Sequence, residues 1–417
     1  MGRHRGRWLG VLGAALVLLG ACGGAGGGAS SGPIKVGYIV PLTGNFASNG
    51  KDEENGFQLG LHDFGDTVNG RKIQPVFVDG QADPNTGLQA ARQLVENQHI
   101  DVLEGPLAAN VIAAVDAYIL PQGIPTDDLS ACSAVQLDDY VKTKNGVDSG
   151  WVCNQPATQA AEWAYNDMHW RHIVTAGQDF AFGWEVNGGF AAAFKKLGGT
   201  IDKMIWFPNT TLDFSPYVSQ IPRNTDAVYA EVSGQVAVRF TQAYQQFGLR
   251  STLPLFGITQ LTDQSALPAE DPATALGLHI GAQYCDGIQT PENQKFANEY
   301  KAQYGHYPAY YSDAGYTKAR LLVSALKKVN GNTSDRKALI NAMRTTPIQS
   351  ARGPVKLSGA PAYSPTQNIY ICQVERVNNE LRNVPIKTYS NVPPWGPLTE
   401  KEWETAFRHD SAARPSA

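Results

Sequence analysis

The sequence predicts an α/β protein of two doubly wound parallel-sheet lobes, and three observations carry that prediction. The first is a unit at residues 34–64: the nearly continuous apolar run IKVGYIV, a loop of turn formers, then Phe57, Leu61 and Phe64 at helical spacing. The second is that this grammar of strand, loop and helix recurs through most of the chain. The third is length, since 417 residues exceed what one ordinary core encloses. In such units the strand's carboxyl end and the helix's amino end face a shared crevice, where ligands bind.

Composition narrows the class. With 42% hydrophobic and 17% charged residues the chain reads as a folded protein with a modestly charged surface, and a net charge of -4 without a long basic block argues against a nucleic-acid partner. Arg3, Arg5 and Arg7 precede an apolar run from Trp8 to Ala21 that is short for a membrane span, as in a signal peptide. The run ends Leu19, Gly20, Ala21, Cys22, which resembles a bacterial lipobox; that resemblance implies cleavage before Cys22 and lipidation of its sulfur. The glycine-rich stretch that follows is then a flexible tether. Setting Cys22 aside leaves Cys132, Cys153, Cys285 and Cys372, an even number that predicts two disulfides in an exported chain. Three pairings are open. We favour Cys132 with Cys153 because it is local, and Cys285 with Cys372 because both fall in predicted strands near a domain crossover. No pair has metal-site spacing, and no metal or cofactor is expected.

Taken in order, KIQPVFVD (Lys72 to Asp79) is a second strand, and Asp83 or Asn85 caps a helix carrying Leu88, Ala91 and Leu94. IDVLEG is a third strand and VIAAVDAYIL a helix; a fourth strand near Ile124 ends in TDDLSAC. A strand through Trp151 and Val152 then leads into the first crossover to a second domain. There HIVTAGQD, TIDKMIWF, DAVYAEV, LPLFGIT and the stretch from Ile280 to Cys285 are strands, with helices between them. PENQKFANEYKAQYG and AYYSDAGYTKARLLVSALKKVNG are helices that return to the first domain, and VKLS and NIYICQVERV are assigned to the second. The expected division is a signal peptide at 1–21, lipidated cysteine and tether at 22–33, an N-terminal lobe at 34–154 and 287–350, a C-terminal lobe at 155–286 and 351–390, and a tail at 391–417. Three hinge crossovers favour bending of the lobes over free tumbling.

No HExxH, GxSxG or phosphate-binding GxxxxGK[ST] occurs, so binding is a better reading than catalysis. The strand ends that would face the crevice bring Thr43, Asn45 and Phe46, then Leu107, Ala108, Ala109 and Asn110, then Asp127, Asp128, Leu129 and Ser130. Backbone N–H groups at the helix starts after Pro106 and Ser130 are suited to a ligand carboxylate.

The stretch from Ile34 to Phe64 and the pattern DGQADPNTGLQAARQLVEN resemble the substrate-binding proteins of branched-chain amino-acid type ABC transporters. These share the type I periplasmic binding protein fold with receptors for amides and aromatic acids, and the resemblance covers roughly Ile34 to Tyr389. It implies an extracytoplasmic solute receptor, a monomer held to the outer face of the cytoplasmic membrane through Cys22, that presents a small molecule to an ABC permease. In relatives the loop matching Gly105 to Asn110 brings a serine or threonine to the ligand carboxylate; here Asn110 is the substitute. Phe182, immediately before Gly183, matches the aromatic residue that closes over the ligand from the second lobe. Ser233, Thr259 and Gln260 occupy loops that face the cleft in relatives, and Tyr316 matches a helix position that often does. The acid that neutralises an amino-acid ligand's ammonium is missing beside Thr259, so such a ligand would need Asp127, Asp128 or Glu231. Phe46, Phe180 and Phe182 then favour an apolar or aromatic body with a polar or carboxylate head, oriented by Thr43, Asn110 and Ser130, within a ligand class of amino acid, amide or aromatic or branched carboxylate. Two other readings are a sensory receptor of the same fold that signals through a membrane partner, and an exported enzyme of unrecognised type.

Overall fold

The computed structural model describes residues 32–132, 134–357, 363–407 and 414–416. The expected signal peptide, Cys22 and nearly all of the tether lie outside these residues.

The first lobe is built from β1 (Ile34–Val40), α1 (Ala47–Phe64), β2 (Thr67–Val68), β3 (Arg71–Asp79), α2 (Pro84–Arg92), β4 (Val102–Glu104), α3 (Ala109–Ile119), β5 (Thr126–Ala131), α4 (Ala134–Thr143) and β6 (Gly146–Val152). Its sheet runs β2-β3-β1-β4-β5-β6, with β1 parallel to both neighbours. The unbroken apolar run of β1 follows from covering both faces of this sheet. Val36, Tyr38 and Val40 bury in one core with Phe57 and Leu61 of α1, whereas Ile39 buries in the other with Leu94, Leu103 and Val115. The Asp83 side chain accepts from the Thr86 backbone and caps α2 as expected.

The second lobe contains α5 (Gln155–Asn166), β7 (His172–Gln178), α6 (Ala181–Lys196), β8 (Thr200–Phe207), α7 (Ser215–Val218), β9 (Ala227–Glu231), α8 (Gln235–Gln246), β10 (Leu255–Ile258), α9 (Pro272–Ala275) and β11 (His279–Ala282). The chain then returns through α10 (Pro291–Tyr304), α11 (Tyr310–Lys328) and α12 (Arg336–Thr345). α11 lies so close to α1 that a Cβ on Gly56 would stand 1.9 Å from the Ser312 carbonyl oxygen, and one on Gly315 2.1 Å from that of Glu53. The remaining elements are β12 (Ile348–Ser350), β13 (Gly353–Val355), β14 (Gln367–Val377), β15 (Glu380–Val392) and α13 (Glu400–Phe407).

The second sheet runs β15-β14-β11-β10-β9-β7-β8 and is mixed: β7 to β11 are parallel, while β14 and β15 are antiparallel to their neighbours. One expectation is corrected here. VKLS does not join the second sheet; β13 forms a two-stranded ribbon with β12, and Val355 and Leu357 bury in the first lobe's core. The long strand β15 was not anticipated, because its exposed edge alternates polar residues and leaves a weak apolar signal.

Both disulfides join the favoured partners. Cys132 pairs with Cys153 and Cys285 with Cys372, at Cα separations of 4.9 and 6.7 Å. The tail docks in part: Trp403 is fully buried and its indole N–H donates to Asn154 Oδ1 at 3.0 Å, beside the first passage between lobes.

Candidate functional site

The carboxyl ends of β4, β5 and β6 face those of β7 and β9 across a cleft. Phe46, Leu107, Ala108, Ala109, Leu129, Ser130, Trp151 and Tyr311 line it from the first lobe, and Phe180, Phe182 and Ser233 from the second. Together they bound about 370 Å³ of unoccupied space, the part open to solvent included. The wall is largely apolar, and five of its eleven residues are aromatic. Trp151 stands with its ring centroid 5.7 Å from Phe182 and 5.2 Å from Tyr310, and Phe180 lies 6.0 Å from Phe182.

Each polar group on this wall has a definite polarity. The Trp151 indole N–H is buried and has no hydrogen-bond partner. α3 begins at Ala109 in the cleft lining; Val111 and Ile112 donate to the Ala108 carbonyl at 2.9 and 3.0 Å, which leaves the Ala109 and Asn110 N–H groups as the first-turn donors without an intrahelical acceptor. Ser130 Oγ donates to the Leu107 carbonyl at 3.3 Å and Ser233 Oγ to Gln178 Oε1 at 2.9 Å. Gln260 Nε2 donates across the lobes to the Tyr311 hydroxyl at 3.3 Å. Among the described residues, the unpartnered donors of the lining therefore gather on the first lobe, and no carboxylate lines the pocket.

The expected acids are engaged elsewhere. Asp127 accepts from the Ser149 backbone at 2.8 Å and from its hydroxyl at 2.6 Å, with Lys318 Nζ at 3.6 Å. Lys318, fully buried on α11, also meets Glu104 at 3.3 Å and donates to the carbonyls of Asp127 and Asp128. Asp128 accepts from the Tyr140 hydroxyl, and burial lifts its carboxyl to about 7. Glu231 accepts from the Gln178 backbone at 2.8 Å, and burial lifts it to about 8, so it is mostly uncharged at neutral pH. None of the three stands ready to pair with an ammonium in the pocket.

The other expected residues divide. Phe46, Ala108, Ser130, Phe182 and Ser233 line the cleft. Thr43 is exposed and donates to Asp79 at 2.6 Å in the turn after β1, outside the lining. Asn110 donates to the Ala82 carbonyl at 3.4 Å, outside the lining. Asn45 reaches the Asn209 carbonyl of the other lobe at 3.4 Å. Thr259 is buried against Gln283 at 2.7 Å, and Gln260 touches the site only through Tyr311. Tyr316 points away, packed between Phe64 and Phe296 and donating to Asp63 at 2.7 Å. Trp151 and Tyr311 were missed. Trp151 sits in a strand whose sequence signals only the passage to the second lobe, and Tyr311 sits five residues from Tyr316 on a helix buried almost all round, where periodicity does not single out the cleft-facing side.

Known proteins resemble this chain over most of its length. A Leu/Ile/Val-binding protein homologue of Brucella melitensis is 28% identical over 354 residues, covering 83% of this chain and 88% of its own. A solute-binding protein of an ABC transporter from Rhodopseudomonas palustris, in complex with 3,4-dihydroxybenzoic acid, superposes with a TM-score of 0.81 at 27% identity, covering 87% of this chain and 98% of its own. Another from R. palustris, in complex with benzoate, gives 0.79 at 26% identity, covering 88% and 100%. A family model described as periplasmic binding protein matches residues 33–379. The chain belongs to the periplasmic binding protein family.

Proposed function

We propose that this chain is the extracytoplasmic solute-binding component of an ABC importer, and that its ligand is a small carboxylate with an aromatic or branched apolar body. The observation that carries the reading is a pocket walled by Phe46, Trp151, Phe180, Phe182 and Tyr311, with free donors at Trp151 and the start of α3 and with no lining carboxylate. Apolar side chains bury the body and the donors meet the carboxylate. An α-ammonium would enter without a counter-charge, which is costly in a desolvated site. The benzoate and dihydroxybenzoate complexes of the two R. palustris relatives support this choice.

Closure follows from geometry. Trp151 belongs to the first lobe and Phe182 to the second, so a ligand between them touches both only when the lobes are together and stabilises that state differentially. The lobe division at 34–154 with 287–350, and 155–286 with 351–390, belongs to the same proposal with its last boundary moved past Leu357, since Val355 and Leu357 bury in the first lobe's core. So does attachment through lipid on Cys22, which would keep a monomeric receptor beside its permease. No helix among the described residues is long and apolar enough to cross a membrane.

A thermal-shift screen of protein beginning at Gly32 tests the ligand class. At a hundred times its dissociation constant a ligand stabilises by about 2.7 kcal/mol. Benzoates should raise the melting temperature and leucine should not; a rise with leucine alone would reject the proposal.

A further inference from the structure

The second-lobe wall of the pocket carries a polarity opposite to the first. Ser233 Oγ is almost fully buried, lines the cleft, and spends its proton on Gln178 Oε1 at 2.9 Å. A hydroxyl whose proton is committed retains only lone pairs, so toward the cleft it accepts and does not donate. Gln178 is itself fixed. Its backbone N–H donates to Glu231 Oε2 at 2.8 Å, its side chain is fully buried, and its Nε2 has no partner. The opposite wall supplies donors at Trp151 Nε1 and the start of α3.

From this asymmetry we infer that Ser233 is a specificity-determining acceptor for a ring hydroxyl or amino group remote from the ligand's carboxylate, and that Gln178 is the positioning residue that sets its polarity. The inference rests on the proposed carboxylate class and deepens it: the site would select, among aromatic carboxylates, those carrying a hydrogen-bond donor on the distal side of the ring. An unsubstituted ring leaves the buried Ser233 oxygen without a donor, and an unmet buried polar group costs affinity. A distal ether presents only an acceptor to an acceptor, so it gains nothing over the bare ring.

The experiment is calorimetric titration of the wild type, Ser233→Ala and Gln178→Met with benzoate, 4-hydroxybenzoate and 4-methoxybenzoate. The wild type should prefer 4-hydroxybenzoate to benzoate by roughly tenfold, the worth of one buried hydrogen bond. It should bind 4-methoxybenzoate no better than benzoate. S233A should lose the hydroxyl preference by weakening 4-hydroxybenzoate and tightening benzoate, since the oxygen that the bare ring leaves unmet is gone, and Q178M should lose the preference through loss of the acceptor that orients Ser233. Because Gln178 is buried, its variant counts only with the wild-type melting temperature, whereas S233A removes one oxygen and carries the test alone. Equal preference for the hydroxyl and methoxy ligands, or an S233A that weakens benzoate and 4-hydroxybenzoate alike, overturns the inference. The failures are distinguishable: if the class is wrong none of the three ligands binds the wild type, and if only this inference is wrong benzoate binds but the hydroxyl confers no Ser233-dependent gain.

Discussion

Trp151, at the end of the last strand of one sheet, and Phe182, in the first turn of a helix of the other lobe, meet across the cleft with ring centroids 5.7 Å apart and planes inclined by 54°. A flat ligand that bridges it gains burial from both sides at once.

Trp151 has two functions that substitution separates. Trp151→Phe keeps a ring against Phe182 and removes the unpartnered indole N–H. Benzoate affinity should fall about tenfold, the loss of one hydrogen bond to a charged acceptor. Phe182→Ala removes the second-lobe ring and should cost about 1.5–3 kcal/mol of binding through lost apolar burial. Titration calorimetry reads both, and unchanged affinity in W151F would remove the indole from the carboxylate site.

Stability should decline with rising pH. Burial lifts Glu231 to about 8 and both Asp128 and Glu53 to about 7. In the unfolded chain such groups ionise near pH 4, at roughly 3.9 for Asp and 4.3 for Glu. Between roughly pH 4.5 and 8 the folded protein therefore holds more protons than the unfolded chain, and stability falls across that window as pH rises. Scanning calorimetry should give a lower melting temperature at pH 8 than at pH 5.5. Glu231→Gln preserves an acceptor for the Gln178 amide and removes one titration, so its decline should be shallower. A melting temperature that climbs over this range would contradict the assignment.

Arg352 staples a passage between the lobes. Fully buried, it pairs with Asp313 at 2.5 Å and donates to the carbonyls of Ser149 at 2.5 Å and Gly150 at 3.1 Å, while the Tyr370 hydroxyl donates to its own carbonyl at 2.8 Å. Arg352→Met leaves Asp313 and two carbonyls buried without a cation, and should destabilise by about 3–5 kcal/mol. The urea midpoint measures this. A loss under about 1 kcal/mol would mean that water takes over the role.

Much of this architecture is legible in the sequence because local patterns encode it. The apolar run of β1, the Asp83 cap and the repeated strand-loop-helix units each need only a few adjacent residues. The pocket is legible where a loop must face the cleft, as at Phe46 and Ala108, and at Phe182 through the family resemblance of its segment. It is not legible where distant partners decide. Asp127 and Asp128 read as free acids beside the site until Lys318, about 190 residues away, donates to both of their carbonyls. Thr43 reads as a ligand contact until Asp79 takes its proton. The polarity of Ser233 depends on Gln178, which lies 55 residues before it.

The most direct test is titration of benzoate and of leucine, separately, into the purified protein at pH 7. The pocket predicts saturable one-to-one binding of benzoate and no measurable heat from leucine, because no lining carboxylate stands ready to meet an ammonium. Tight binding of leucine with no response to benzoate would contradict the account, and would require Asp127, Asp128 or Glu231 to turn from its present partners toward the cleft.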